Sequence, residues 1–171
     1  MAETASNNNA NPAEGADQQQ VKVQIMAQYI KDLSFENPNV GRLIEGPGES
    51  PNLKLEINVA ANKMDNDLYE SAIDFKANAT SKLGVIYDLE AVYAGMFKVE
   101  QMPPQALQPF LLINCPTLLF PFLRRLVADL TREGGFPPLL LDPIDFGSLY
   151  MRKQQEAAGA AGAQESPQRV S

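Results

Sequence analysis

With 171 residues and a formal net charge of −7, the chain has the size of one domain with a modest core and lacks the basic surface that nucleic-acid backbones require. It contains no histidine, so the commonest general base and the commonest metal ligand are both missing. Its one cysteine can build neither an intrachain disulfide nor a thiolate zinc site, and a reducing compartment suits it. No nucleic-acid partner, no metal and no cofactor are expected.

Residues 1–20 are rich in Asn, Gln, Ala and Glu and poor in large apolar side chains, so a disordered tail is expected there. The same segment has no basic stretch leading into an apolar core, and it does not read as a secretory signal.

Four segments then alternate with period two, as strands with one buried and one wet face do. In the first, Leu33 and Phe35 oppose Asp32, Ser34 and Glu36. Leu53, Leu55, Ile57 and Val59 oppose Lys54, Glu56 and Asn58 in the second. The third sets Tyr69, Ser71, Ile73, Phe75, Ala77 and Ala79 against Glu70, Asp74, Lys76 and Asn78. In the fourth, Val85, Tyr87, Leu89, Ala91 and Tyr93 oppose Asp88 and Glu90. Short polar turns at 62–67 and 80–84 make an antiparallel arrangement. Asp65 and Asp67 serve turn geometry, since no further oxygen ligands follow at calcium-loop spacing. Residues 37–52, broken by proline and glycine, read as an irregular crossover.

The richest apolar content lies in residues 110–150, as two helical segments joined by an apolar loop. Leu119, Phe122, Leu123, Leu126, Val127 and Leu130 follow one helical face, while Arg124, Arg125, Asp129 and Arg132 take other sides. Asp142 can cap the second helix, with Pro143 at its first position and Asp145 in its first turn. The loop Gly-Gly-Phe-Pro-Pro-Leu-Leu-Leu asks for cover by the core, another subunit or a client, because loops ordinarily run over the surface. Cys115, inside an apolar run, reads as a small packed hydrophobe. Residues 110–123 form the longest apolar stretch, but polar and proline residues interrupt it. A membrane span needs roughly 20 apolar residues, so no membrane insertion is expected. Residues 158–171 are polar and small, and a second disordered tail is expected. Strands first and helices last read as an α+β fold with the helices on one side of the sheet. No phosphate loop, nucleophile elbow or zinc-helix motif appears, and no catalytic residue is assigned.

At three places the residues resemble the protein-export chaperone family SecB: Asn114-Cys115-Pro116-Thr117-Leu118-Leu119-Phe120-Pro121-Phe122, Gly135-Phe136-Pro137-Pro138-Leu139 and Asp142-Pro143-Ile144-Asp145-Phe146. Tyr29-Ile30-Lys31-Asp32-Leu33-Ser34-Phe35-Glu36-Asn37-Pro38 is similar to that family's first strand, and Ala94-Gly95-Met96-Phe97 to the end of its fourth. The resemblance runs in one order from about Val21 to Lys153 and gives a chaperone domain over residues 21–157. It implies a four-stranded antiparallel sheet with two C-terminal helices packed on one face, assembled as a homotetramer, a dimer of dimers. The function it implies is an ATP-independent holdase of the cytoplasm. Such a protein keeps unfolded precursor proteins export-competent and delivers them to the motor ATPase SecA.

The resemblance also implies roles for individual residues. Asp32, Glu36 and Glu90 match the acids that receive the basic, zinc-bearing C-terminal segment of SecA, and the zinc belongs to that partner. Asp88 joins this patch, where the family commonly has an apolar residue. The client groove is expected between the crossover, the helix-connecting loop and the end of the fourth strand, with Phe97, Phe136, Leu139 and Leu140 contributing. Leu89, Ala91, Tyr93, Leu119, Phe122, Leu126 and Leu130 are the candidates for helix, sheet and subunit packing. The chain has no tryptophan, which family members often carry near the position of Glu49. The competing reading is an oligomeric structural subunit without client-holding activity, its apolar loops serving assembly alone.

Overall fold

The computed structural model describes residues 20–163 except positions 47 and 50. Strands β1 (Lys22–Glu36), β2 (Asn52–Asp65), β3 (Leu68–Ser81) and β4 (Gly84–Glu100) form one antiparallel sheet in the order β1-β4-β3-β2. Because β4 pairs with β1, the segment between β1 and β2 carries the chain from one edge of the sheet to the other; it includes a single 3-10 turn at Val40–Arg42. Helices α1 (Pro104–Glu133) and α2 (Phe146–Ala163) complete the fold.

Alternation divides the two central strands, β3 and β4, into an inner and an outer face, while Leu33 of β1 and Leu53 and Leu55 of β2, expected on a buried face, are exposed. Ile73, Phe75, Ala77, Leu89 and Ala91 are fully or almost fully buried on the inner face, in one core with Leu119, Leu123 and Val127 of α1. Burying each Ile, Leu, Val or Phe side chain among these contributes about 1.5–3 kcal/mol, and each alanine less. Gly95 admits the helix at its closest approach: a Cβ there would stand 2.8 Å from Leu119 Cδ2 and 2.9 Å from Phe97 Cε2.

Three prolines inside α1 do not end it. Residues Phe110–Asn114 take a π-helical turn, and the Cys115 N–H reaches back to the Phe110 carbonyl. By length and composition this continuous helix could cross a membrane, which corrects the interruption expected from the sequence. In the structure, however, Leu111, Cys115, Leu119, Leu123 and Val127 are buried in the core shared with the sheet.

The start of α2 differs from the expected one. Asp145, not Asp142, caps it: the Ser148 N–H donates to Oδ1 at 3.0 Å and the Ser148 hydroxyl to Oδ2 at 2.7 Å. Those two bonds hold the Asp145 carboxyl below the usual range. At its other end α2 continues to Ala163, beyond the domain boundary expected at 157. The remainder of that expected tail, 164–171, lies outside the described residues, as do residues 1–19 of the first.

Candidate client groove and docking face

The apolar loop after α1 is held by a specific set of bonds. Gly135, at φ +87°, takes the left-handed conformation that closes the helix. Its N–H bonds the Arg132 carbonyl at 3.0 Å, and the Phe136 N–H bonds that of Thr131 at 3.1 Å. The Thr131 side chain, fully buried, donates to Val127 and accepts the Leu139 N–H at 2.9 Å. Thus anchored, Phe136 lies against Tyr87 (ring centroids 5.2 Å apart), which stacks on Phe35 (5.8 Å). Burial raises the Tyr87 phenol's pKa.

Beside this stack opens a cavity of ≈ 320 Å³, lined by Pro51, Leu53, Ala79, Ile86, Tyr87, Phe136 and Pro137 among others. From it, Leu53, Leu55, Ile57 and Val59 run along β2, an edge strand whose outer ladder is unpaired among the described residues. Leu53 and Leu55 are 42% and 45% exposed. At the far end a second cavity, ≈ 410 Å³, lies between Val59–Ala61 and Pro104, Leu107, Leu111 and Leu112. The seven residues from Leu53 to Val59 span roughly 20 Å. The result is an apolar groove along a free sheet edge.

The four expected groove residues do not come together. Phe136 lines the first cavity. Phe97 is 0% exposed and belongs to the core at the opposite end of β4, because the cavity sits at the start of that strand and not at its end. Leu139 packs half-buried on the core, and Leu140, 76% exposed, faces a different hollow with Pro121, Arg124 and Arg125. Leu53, Ile86 and Tyr87 line the first hollow and Leu107 the second, although none of them is among the expected groove residues. Only Leu53 has a signal in the β2 alternation, where it reads as a residue of the buried face.

On the outer face, register brings the acids of β1 and β4 side by side. Glu36 is paired with Asp88, Ser34 with Glu90, and Asp32 with Val92. Beyond them Lys76 of β3 reaches Glu90 at 3.0 Å. That carboxylate raises the Lys76 pKa, with smaller contributions from Asp74 and Glu56. The acids of β1 and β4 thus share a face on which Lys76 is the cation bonded to Glu90, while Lys54 of β2 pairs with Glu56. Among the described residues, no group of three or more His, Cys, Asp or Glu is placed to hold a metal.

A polar network below this face was not foreseen. Glu70, only 4% exposed, accepts hydrogen bonds from the Lys31 ammonium at 2.6 Å and the Tyr29 hydroxyl at 2.5 Å. Bonding to Lys31 and then Tyr29 draws the Glu70 carboxyl below its usual range, while burial and the adjacent carboxylate push Tyr29 up to about 12.

The residues expected to pack subunits divide as well. Leu89, Ala91 and Leu119 are sealed inside the protomer, and Leu130 packs half-buried on its core. Tyr93 and Phe122 instead stack at 6.3 Å beside Ile30 and Leu126, at the rim of an open hollow. Phe122 and Leu118 are 48% and 47% exposed.

Fold and surfaces define the class first: an α+β protein with an apolar hollow beside the edge strand β2 and an acidic field on the outer face of the sheet. Residues 16–157 match the family described as Preprotein translocase subunit SecB. The protein-export protein SecB of Bradyrhizobium sp. (strain BTAi1) is 46% identical over 160 residues, covering 94% of this chain and 97% of that one. Its counterpart from Zymomonas mobilis is 42% identical over 151 residues, covering 88% and 92%. A solved SecB-like chaperone of Mycobacterium tuberculosis, in complex with a peptide from the HigA1 antitoxin, shares the fold. It has a TM-score of 0.57 at 17% identity, with 71% of this chain and 90% of that one covered. The chain belongs to the SecB family, a family of chaperones rather than enzymes.

Proposed function

We propose that this chain is an ATP-independent export chaperone of the cytoplasm that holds unfolded precursors in the groove along β2 and hands them to SecA. The observation that carries this reading is the apolar row along the edge strand β2, with Leu53 and Leu55 exposed, Ile57 and Val59 half-buried, and a cavity at either end. Such a groove accepts many sequences, because apolar burial is non-directional and a strand edge offers only main-chain hydrogen bonds. The complexed SecB-like chaperone of M. tuberculosis, which binds a peptide, supports the same reading. The acidic outer face suits a basic partner, and kinship with the SecB family supports SecA as that partner. Exposed Leu118, Phe122 and Ile30 support assembly into a homotetramer, since apolar surface of this extent is uncommon on monomers.

The experiment is native mass by light scattering, with and without an unfolded polypeptide, alongside suppression of that polypeptide's aggregation. A tetrameric mass that rises on adding the polypeptide, with aggregation suppressed near one equivalent, is expected. An oligomer that suppresses nothing would be a structural subunit. A monomer would overturn the assembly.

A further inference from the structure

Among the described residues, strand β1 is an edge strand that pairs only with β4, and its pairing is interrupted twice, with Met26 and Lys31 left over as extra residues. Each bulge shifts the alternation by one. Through the second, Tyr29 and Asp32 both face outward although three residues apart, while Ile30 and Leu33 both face inward. The position of that extra residue therefore decides which face Asp32 and Glu36 occupy. Were it moved past Glu36, Lys31 would lie opposite Val92 and every residue from Asp32 to Glu36 would change sides.

The Lys31 ammonium, on the bulged residue itself, reaches two strands across to Glu70 of β3 at 2.6 Å. Tyr29, two residues earlier, reaches the same carboxylate. The intervening positions are small: Ala94 of β4 stands opposite both Tyr29 and Ala72 of β3, and both alanines are buried. Glu70 is the one buried charge among the described residues. A buried carboxylate that loses its one cation and its phenol donor, keeping only Asn62 of β2, is costly, so any slide of β1 that withdraws Lys31 and Tyr29 is opposed. We propose that Glu70, with Lys31 and Tyr29, is a latch that fixes the bulge of β1 and so holds Asp32 and Glu36 beside Asp88 and Glu90 on the outer face. Glu70 is then a positioning residue for SecA docking, a role that rests on the docking reading above.

The decisive variant is Lys31→Met in the full chain. A charge effect alone would tighten binding to a basic partner, because the face becomes more negative. The latch predicts the opposite: affinity for SecA, measured by calorimetry at low salt, falls about tenfold, and Lys31→Arg restores it. Hydrogen exchange supplies the arm that does not depend on docking. In Lys31→Met and in Glu70→Gln, amides 32–36 lose about tenfold in protection while those between β2 and β3 keep theirs. If Glu70→Gln fails to fold, Lys31→Met decides alone. Full protection of 32–36 in Lys31→Met would mean that the Phe35 stack holds the register, and the latch would be overturned even if SecA docks elsewhere. Tighter SecA binding by Lys31→Met would overturn it equally.

Discussion

The Ser71 hydroxyl donates to the Leu111 carbonyl at 2.8 Å, and that carbonyl is free because Pro116 has no N–H to offer it. In the π-helical turn each N–H reaches back five residues, so the next donor after Cys115 would be position 116. Strand β3 supplies the missing hydrogen instead and ties the helix to the sheet inside the core. Ser71→Ala leaves a buried acceptor unpaired, at a cost of about 1–3 kcal/mol. Urea denaturation at fixed protein concentration checks this; a loss below about 0.5 kcal/mol would contradict the assignment.

Thr131 does a related job for the apolar loop after α1. Thr131→Val keeps the shape but removes the acceptor for the Leu139 N–H and the donor to Val127. Stability should fall by about 1–3 kcal/mol, and the Leu139 amide should exchange faster with solvent. Retained protection of that amide would show that Phe136 packing alone fixes the loop.

The groove is tested at its first cavity. Leu53→Ser with Phe136→Ser removes two walls of one hollow, and client affinity should fall tenfold or more while the oligomer persists. Leu140→Ser, in a separate hollow, should change affinity less than threefold. The reverse ranking, read from competition for an unfolded client, would relocate the groove to the Leu140 side of the loop.

Much of this was legible in the chain. Strict alternation from Leu53 to Val59 and from Tyr69 to Ala79 gave both strands, and the pairing of β1 with β4 brings their acids to one face. What escaped depends on contacts distant in sequence. Inner residues Ile25, Ile30 and Leu33 of β1 follow no single period, because two bulges intervene. Glu70 alternates like any solvated residue, and only pairing order brings Lys31 to it. Asp142-Pro143 satisfies the rules for a helix start as well as Asp145 does; the observed cap is decided by where Phe146 must be buried.

Acid should open the same network that the latch uses. Bonding to Lys31 and Tyr29 depresses the Glu70 carboxyl in the folded chain. Its contribution is therefore present above the unfolded carboxylate value of about 4.3 and is lost as pH falls through the lower folded value. The stability gap between the parent and Glu70→Gln should be constant near neutrality and close on acidification. A gap that stays constant through pH 3 would mean that hydrogen bonding, not charge, holds Glu70.

Docking of SecA should depend on charges the chain already uses. Lys76 holds Glu90 at 3.0 Å, so a basic partner must compete with an internal ammonium for that carboxylate, whereas Asp32 and Glu36 have no ion pair among the described residues. Asp32→Lys with Glu90→Lys places two cations within the field and should abolish SecA binding while leaving client holding intact, because the groove lies on the other face. Lys76→Ala should strengthen binding a fewfold, by freeing Glu90. Both effects should shrink as salt rises, since these groups are exposed and a Debye length is about 8 Å at physiological ionic strength. Calorimetry at low salt provides the reading, and unchanged SecA affinity in the double variant would remove the outer face from consideration.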